Sequence, residues 1–110
     1  MKKLTLALSL LIITACSVKL MTPIQSDVDR VSHKFPGYSL AELEQGKANY
    51  ENKCTMCHGL KNPKSESEEE WRKIVPNMVK AANKKTETID PKTEESILKY
   101  VITMSSAPKR

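Results

Sequence analysis

Cys54-Thr55-Met56-Cys57-His58 is the stretch on which the interpretation of the whole chain depends. Cys54 and Cys57 are three residues apart, so on a helical turn their thiols point to the same side. His58 follows directly and adds an imidazole next to the two thiols. The spacing therefore predicts one compact site that uses two sulfur atoms and one ring nitrogen.

Several kinds of site use closely spaced cysteines. A thioredoxin-like redox site requires a βαβ setting, and no segment of this chain alternates as a strand does. A structural zinc site requires four ligands, but the sequence has no second Cys or Cys/His pair. A disulfide between Cys54 and Cys57 would close too small a loop to stabilise much. The pattern instead indicates one covalently attached haem c, with two thioethers and His58 as an iron ligand.

The segment before this motif is predicted to be a helix. Ser39 and Glu42 form a capping box, and apolar residues then recur at helical spacing. We therefore expect a helix from about residue 40 to residue 53. Gly46 lies inside it, where glycine is unfavourable relative to alanine, so we expect a second helix to approach closely at this position.

Two further helices follow the motif. Ser67 to Glu70 form another capping box, and Pro76 is expected to interrupt or kink the helix that starts there. Asp90-Pro91 combines a side-chain cap with a proline at the first helical position, and residues 105–108 are expected to end the last helix. The predicted fold class is all-α, with three to four helices around one haem in a domain spanning residues 39–110.

The first residues of the chain are predicted to be an export signal. Two lysines precede the uncharged apolar run Leu4–Ala15, which is too short to cross a bilayer comfortably. The run ends in Ile13-Thr14-Ala15-Cys16, which resembles the lipobox of bacterial lipoproteins. This resemblance implies a signal peptide over residues 1–15 and acylation of Cys16. An ordinary signal peptide with an incidental Cys16 is the alternative.

Residues 16–38 are predicted to be a lipidated N-terminus and a flexible tether, because this segment has no sustained periodicity and contains Pro23 and Pro36-Gly37. The expected location is the bacterial cell envelope, on the periplasmic side or at the cell surface. The sequence leaves open whether the inner or the outer membrane holds the anchor.

Composition limits the function further. With 110 residues, 39% of them apolar and 5% aromatic, the chain is too short for a multidomain enzyme and too polar for a bundle of membrane spans. Basic residues are not interleaved with aromatic ones, which disfavours nucleic-acid binding. After loss of the signal segment, 16 basic and 13 acidic side chains remain. Lys80, Lys84 and Lys85 form a basic block of a kind that can dock acidic redox partners.

The last 70 or so residues resemble a small class I cytochrome c. The resemblance is carried by Gly46, Tyr50, Cys54, Cys57, His58 and Gly59, and it extends from Leu40 to Met104. It implies that the helix before the haem motif crosses the C-terminal helix, with Gly46 against Tyr100 and Tyr50 nearby.

The stretch Trp71 to Met78 resembles a subgroup of short cytochromes in which the methionine at this position is the second axial ligand of the iron. By this resemblance Met78 binds the iron opposite His58, while Trp71 lines the haem pocket. Met104 lies on the apolar face of the last helix, where a methionine is more often a core residue. Met78, Met104 or an open position remain the alternatives for the sixth iron ligand.

The predicted function is a membrane-anchored one-electron carrier, not an enzyme, that exchanges electrons with exported or membrane-bound redox proteins. Two alternatives remain open. The first is a haem-based sensor or small haem enzyme with a labile sixth position. The second is a fixed haem subunit of a larger oxidoreductase.

Overall fold

The computed structural model describes residues 19–54, 60–85 and 88–110. Within these ranges the chain forms four α-helices and a 3₁₀ turn, and none of the described residues belongs to a strand. The elements are α1 (Gln25–Arg30), α2 (Leu40–Cys54), the turn Pro63–Ser65, α3 (Glu68–Lys85) and α4 (Pro91–Ser105). The prediction of an all-α fold is confirmed for the described part of the chain.

The three predicted helix starts are each capped by a side chain. A helix leaves its first N–H groups without backbone partners, and a side-chain oxygen at the N-cap accepts from one of them. The observed bonds run from the Glu42 amide to Ser39 Oγ at 3.1 Å, from the Glu70 amide to Ser67 Oγ at 3.2 Å, and from the Thr93 amide to Asp90 Oδ1 at 2.7 Å. Local sequence is therefore sufficient to start α2, α3 and α4.

Helix α4 is the centre of the fold, because α2 and α3 both pack against it. The α2–α4 crossing occurs at Gly46, which is buried. A Cβ at this position would lie 2.7 Å from the Ser96 carbonyl oxygen and 2.7 Å from Tyr100 Cβ. The predicted contact between Gly46 and Tyr100 is confirmed, and it requires the absence of a side chain at residue 46.

Pro76 was predicted to interrupt or kink helix α3. Helix α3 continues through Pro76, so the interruption is wrong, while the kink stays a prediction. Proline removes one helical hydrogen bond and normally disfavours the helix interior. Here Trp71 and Val75 are buried before Pro76, and Val79 is buried after it. The buried side chains before and after the exposed proline hold the two halves of α3 in one helix. The expectation of an interruption considered only the proline and not this packing.

The segment before α2 differs from the predicted tether. Val28 and Val31 are 4% exposed, and residues 25–30 form α1. Asp27 is fully buried and binds Arg30 at 2.8 Å and Arg110 at 2.7 Å. The cause is non-local, because Arg110 lies 83 residues further along the chain. The described part of the predicted tether is therefore packed against the domain.

No described helix is both long and apolar enough to cross a membrane. The predicted signal segment and Cys16 lie outside the described residues.

Candidate functional site

An apolar cavity of about 270 Å³ opens between the end of α2, the length of α3 and the first half of α4. Cys54, the last residue of α2, lies at its wall. The full lining consists of Tyr50, Lys53, Cys54, Lys61, Trp71, Ile74, Val75, Met78, Val79, Ala82, Ile89 and Ile97. The first cysteine of the haem motif therefore borders a large, mostly apolar cavity.

Helix α3 supplies half of the lining. The six residues it contributes recur every three or four positions, so they form one stripe along the helix. They are Trp71, Ile74, Val75, Met78, Val79 and Ala82. The opposite face of α3 carries charged residues such as Arg72, Lys73 and Lys80, which are exposed. The amphipathic spacing of α3 therefore places a continuous row of apolar side chains along the cavity.

Burial keeps the Cys54 thiol neutral. Desolvation raises its pKa to about 11, because the thiolate loses more hydration than the thiol does. Reactive and metal-binding cysteines have the opposite property, a pKa lowered by nearby positive charge. Burial therefore disfavours the thiolate form of Cys54.

Two aromatic side chains fix the chain that leaves the motif. The Tyr50 hydroxyl donates to the Lys61 carbonyl at 2.5 Å, and the Trp71 indole N–H donates to the Pro63 carbonyl at 2.8 Å. The two rings meet edge to face, with centroids 6.2 Å apart. Both aromatic residues also line the cavity. The cavity wall and the path of residues 61–63 are therefore held by the same pair of side chains.

The two candidate methionines occupy different environments. Met78 is half-buried and lines the cavity, as Trp71 does. Met104 is 2% exposed, belongs to the hydrophobic core and does not line the cavity. The structure thus brings Met78, Trp71 and Cys54 together at one space and leaves Met104 out of it.

The other residues of the predicted site, Cys57 and His58, lie outside the described residues, as does Met56. Among residues 19–54, 60–85 and 88–110, no group of three or more His, Cys, Asp or Glu side chains could hold a metal ion. A conventional metal cluster made of these residue types is therefore not formed by the described part of the chain.

The sequence reasoning missed several walls of the cavity. Ile74 and Ala82 could have been found from their spacing with Met78, which places all three on one side of α3. Ile89 and Ile97 come from the loop before α4 and from α4 itself, and their position depends on how the helices pack. No local pattern carries that information.

Comparisons with protein-family models, with curated proteins and with solved structures find no match for this chain.

Proposed function

We propose that this protein is a membrane-anchored cytochrome c that carries single electrons between exported redox proteins. The observation that carries the proposal is that Cys54, the first cysteine of a C-x-x-C-H motif, and Met78 line the same apolar cavity. Trp71, the third residue expected there, lines it as well. A thioredoxin site or a zinc site would not require an apolar space of this kind beside the motif.

The residues present are compatible with a haem. Porphyrin is a flat, largely apolar body, and the walls contributed by Ile74, Val75, Val79 and Ile97 are aliphatic. Cys54 supplies a thiol at the edge of this space. The motif's second thiol and imidazole follow within four residues. The donor set of two sulfurs, one imidazole and one thioether matches that of a c-type haem.

Each residue has a distinct proposed role. Cys54 and Cys57 would hold the porphyrin through thioether bonds, so the cofactor could not dissociate. His58 and Met78 would both bind the haem iron and keep substrates away from it. Trp71 and the aliphatic walls exclude water, and a low-dielectric surrounding favours the less charged oxidation state. When bound, the haem supplies a one-electron couple with unchanged ligands.

The surface near the end of α3 suits an acidic partner. Lys80, Lys84 and Lys85 are exposed and form no ion pair with any described residue. By contrast, the acidic start of α3 is partly neutralised, because Glu68 pairs with Arg72 at 2.9 Å and also with Lys34. The exposed lysines therefore remain available to steer an acidic donor or acceptor protein.

Absorption spectroscopy of the purified holoprotein tests the proposal. We expect a low-spin spectrum in both oxidation states and no change when CO is added to the reduced protein. Met78→Ala should convert the iron to a form that binds CO, while Met104→Leu, a substitution in the core, should keep the wild-type spectrum. High-spin iron and ready CO binding in the wild-type protein would instead support a haem sensor or enzyme. Absence of covalent haem would contradict both functions.

A further inference from the structure

The segment that joins the predicted lipid anchor to the domain is short. The chain is held from residue 20 onward, because Leu20 and Pro23 are buried and Arg110 Nη2 donates to the Thr22 carbonyl at 2.8 Å. Cys16 precedes Leu20 by four residues. Even fully extended, four residues span only about 14 Å. A bilayer that holds acyl chains on Cys16 therefore lies close to this end of the domain.

The same end of the domain carries an exposed apolar side chain. Ile24 is 40% exposed and is the one large hydrophobic residue found exposed among the described residues. Its backbone amide donates to Asp27 Oδ2 at 2.9 Å, and Arg110 Nη2 binds that same oxygen at 2.7 Å. Ile24 is thus fixed beside the last residues of the chain and is not covered by any described element.

The two chain segments that meet beside this isoleucine, residues 19–31 and 106–110, carry four basic side chains. Lys19, Lys109 and Arg110 are exposed, and Arg30 is half-exposed. The acidic residues of the same two segments, 19–31 and 106–110, are Asp27 and Asp29. Asp27 is buried between two arginines, and only Asp29 is exposed. The surface that faces outward here is therefore predominantly basic.

We propose that Lys19, Ile24, Lys109 and Arg110 form a membrane-contact surface that rests on anionic lipid headgroups. The surface combines a short connection to the anchor, one apolar side chain and an excess of positive charge, which are the features by which a protein surface binds at a charged bilayer. The proposal rests on the proposed lipidation of Cys16 for its geometry, but it does not depend on the haem.

Vesicle binding tests the surface without the anchor. Holoprotein that begins at Ser17, and so carries neither the predicted signal segment nor Cys16, is mixed with vesicles of phosphatidylcholine and phosphatidylglycerol in a ratio of roughly three to one. Bound protein is measured by sedimentation. We expect binding that weakens at high salt and is absent with phosphatidylcholine alone. Adding Lys19→Glu, Ile24→Ser and Lys109→Glu should weaken binding by at least about tenfold. Serine is chosen at residue 24 because it is well tolerated at a helix N-cap.

The matched control changes two charges at the opposite end of the α3–α4 pair, with Lys84→Glu and Lys85→Glu. It should leave vesicle binding within about twofold of its parent. Equal losses in the two variants would indicate a general attraction of a basic protein and would overturn the proposal. No preference of the parent protein for anionic vesicles would also overturn it.

Hydrogen exchange on the acylated wild-type protein provides a second readout. Bound to the same vesicles, it should show slower exchange in peptides covering residues 19–31 than the detergent-solubilised protein, with no change in residues 68–85. Equal exchange in both states would overturn the contact. A normal haem spectrum combined with this failure would leave the electron-carrier proposal intact. Mass spectrometry of the Cys16 peptide reports the lipidation separately.

Discussion

Gly46 sets how closely α2 and α4 approach, because two atoms of α4 lie 2.7 Å from the position of an added Cβ. We expect Gly46→Ala to lower the free energy of unfolding by about 1–3 kcal/mol, the usual cost of overpacking, despite the better helix propensity of alanine. Denaturant titration measures this change. Glu44→Ala, on the exposed side of the same helix, should change stability by less than about 0.5 kcal/mol. A stabilised Gly46→Ala protein would show that the helices can move apart freely.

The indole N–H of Trp71 is expected to matter separately from its ring. Trp71→Phe keeps an aromatic wall but leaves the buried Pro63 carbonyl without its donor, which costs about 1–3 kcal/mol. The denaturation midpoint of the holoprotein should fall accordingly. The Tyr50 hydroxyl donates to the Lys61 carbonyl, two residues before Pro63. Tyr50→Phe removes this bond and should therefore also lower the denaturation midpoint. If neither variant is less stable, residues 61–63 are not held by these two bonds.

Single residues with local causes could be predicted from the sequence. The caps at Ser39, Ser67 and Asp90 depend on atoms within three residues, and all three were found. The close contact at Gly46 was predicted because glycine is unfavourable inside a helix and so indicates that another element approaches there. Asp27 could not be found in this way, because its partners are fixed only when α1 meets the end of the chain.

Helix α1 shows how long-range contacts can make a helix from a segment without helical periodicity. It has only six residues, too few to be stable alone, and it is held by buried valines and the Asp27 ion pairs. Burial alone would raise the pKa of Asp27, but hydrogen bonds from Arg110, the Ile24 amide and Arg30 hold that pKa below its ordinary value of 3.8.

This pKa shift predicts how α1 responds to acid. A lowered folded-state pKa contributes stability that is fully present above the unfolded-state value and is lost as the pH falls through the folded-state value. The protection of the α1 amides against hydrogen exchange, measured relative to unstructured peptides at the same pH, should therefore be high near neutral pH and fall below pH 3.8. Asp27→Asn should exchange faster at neutral pH and lose this acid dependence. An unchanged profile in that variant would mean that another group controls α1.

Helix α3 contains a proline that its packing tolerates. Because Pro76 is exposed and lacks an amide hydrogen, Pro76→Ala restores a helical hydrogen bond to the Arg72 carbonyl. We expect stability to rise by up to about 3 kcal/mol, measured by chemical denaturation. Asn77→Ala, next to it and also exposed, should add less than about 0.7 kcal/mol. A destabilised Pro76→Ala protein would show that the local backbone at Pro76 is needed for the packing of Trp71 and Val79.

At the scale of the whole molecule, the cavity borders the hydrophobic core. Six residues of the core line it, namely Tyr50, Trp71, Val75, Val79, Ile89 and Ile97. The walls of the cavity are mostly apolar, so an apolar group bound there would remove part of their surface from water. We therefore expect such a group to stabilise the folded domain. The sequence does not reveal where the cavity lies, because its walls come from three helices.

The stability of the protein without the proposed haem tests this expectation. Cys54→Ala with Cys57→Ala removes both predicted thioether positions, and we expect thermal unfolding well below that of the wild-type holoprotein, with a broader transition. Circular dichroism measures both. Cys16→Ser serves as the cysteine control and should unfold at the wild-type temperature. Equal unfolding temperatures in all three proteins would mean that the folded domain does not need an occupant in the cavity.

Under the proposed acylation of Cys16, the attachment of Leu20 to the domain would also have a kinetic consequence. A domain on a long flexible chain can occupy a wide volume above the bilayer. A domain held within a few residues of its anchor instead moves together with the anchor, by lateral diffusion in two dimensions. Its orientation toward a neighbour in the same membrane then stays nearly constant between encounters. The rate of electron exchange with such a neighbour would be limited by lateral diffusion of the two anchors in the membrane plane. With a Gly-Ser insertion between Cys16 and Leu20, the rate would instead depend on how fast the domain rotates into a productive orientation.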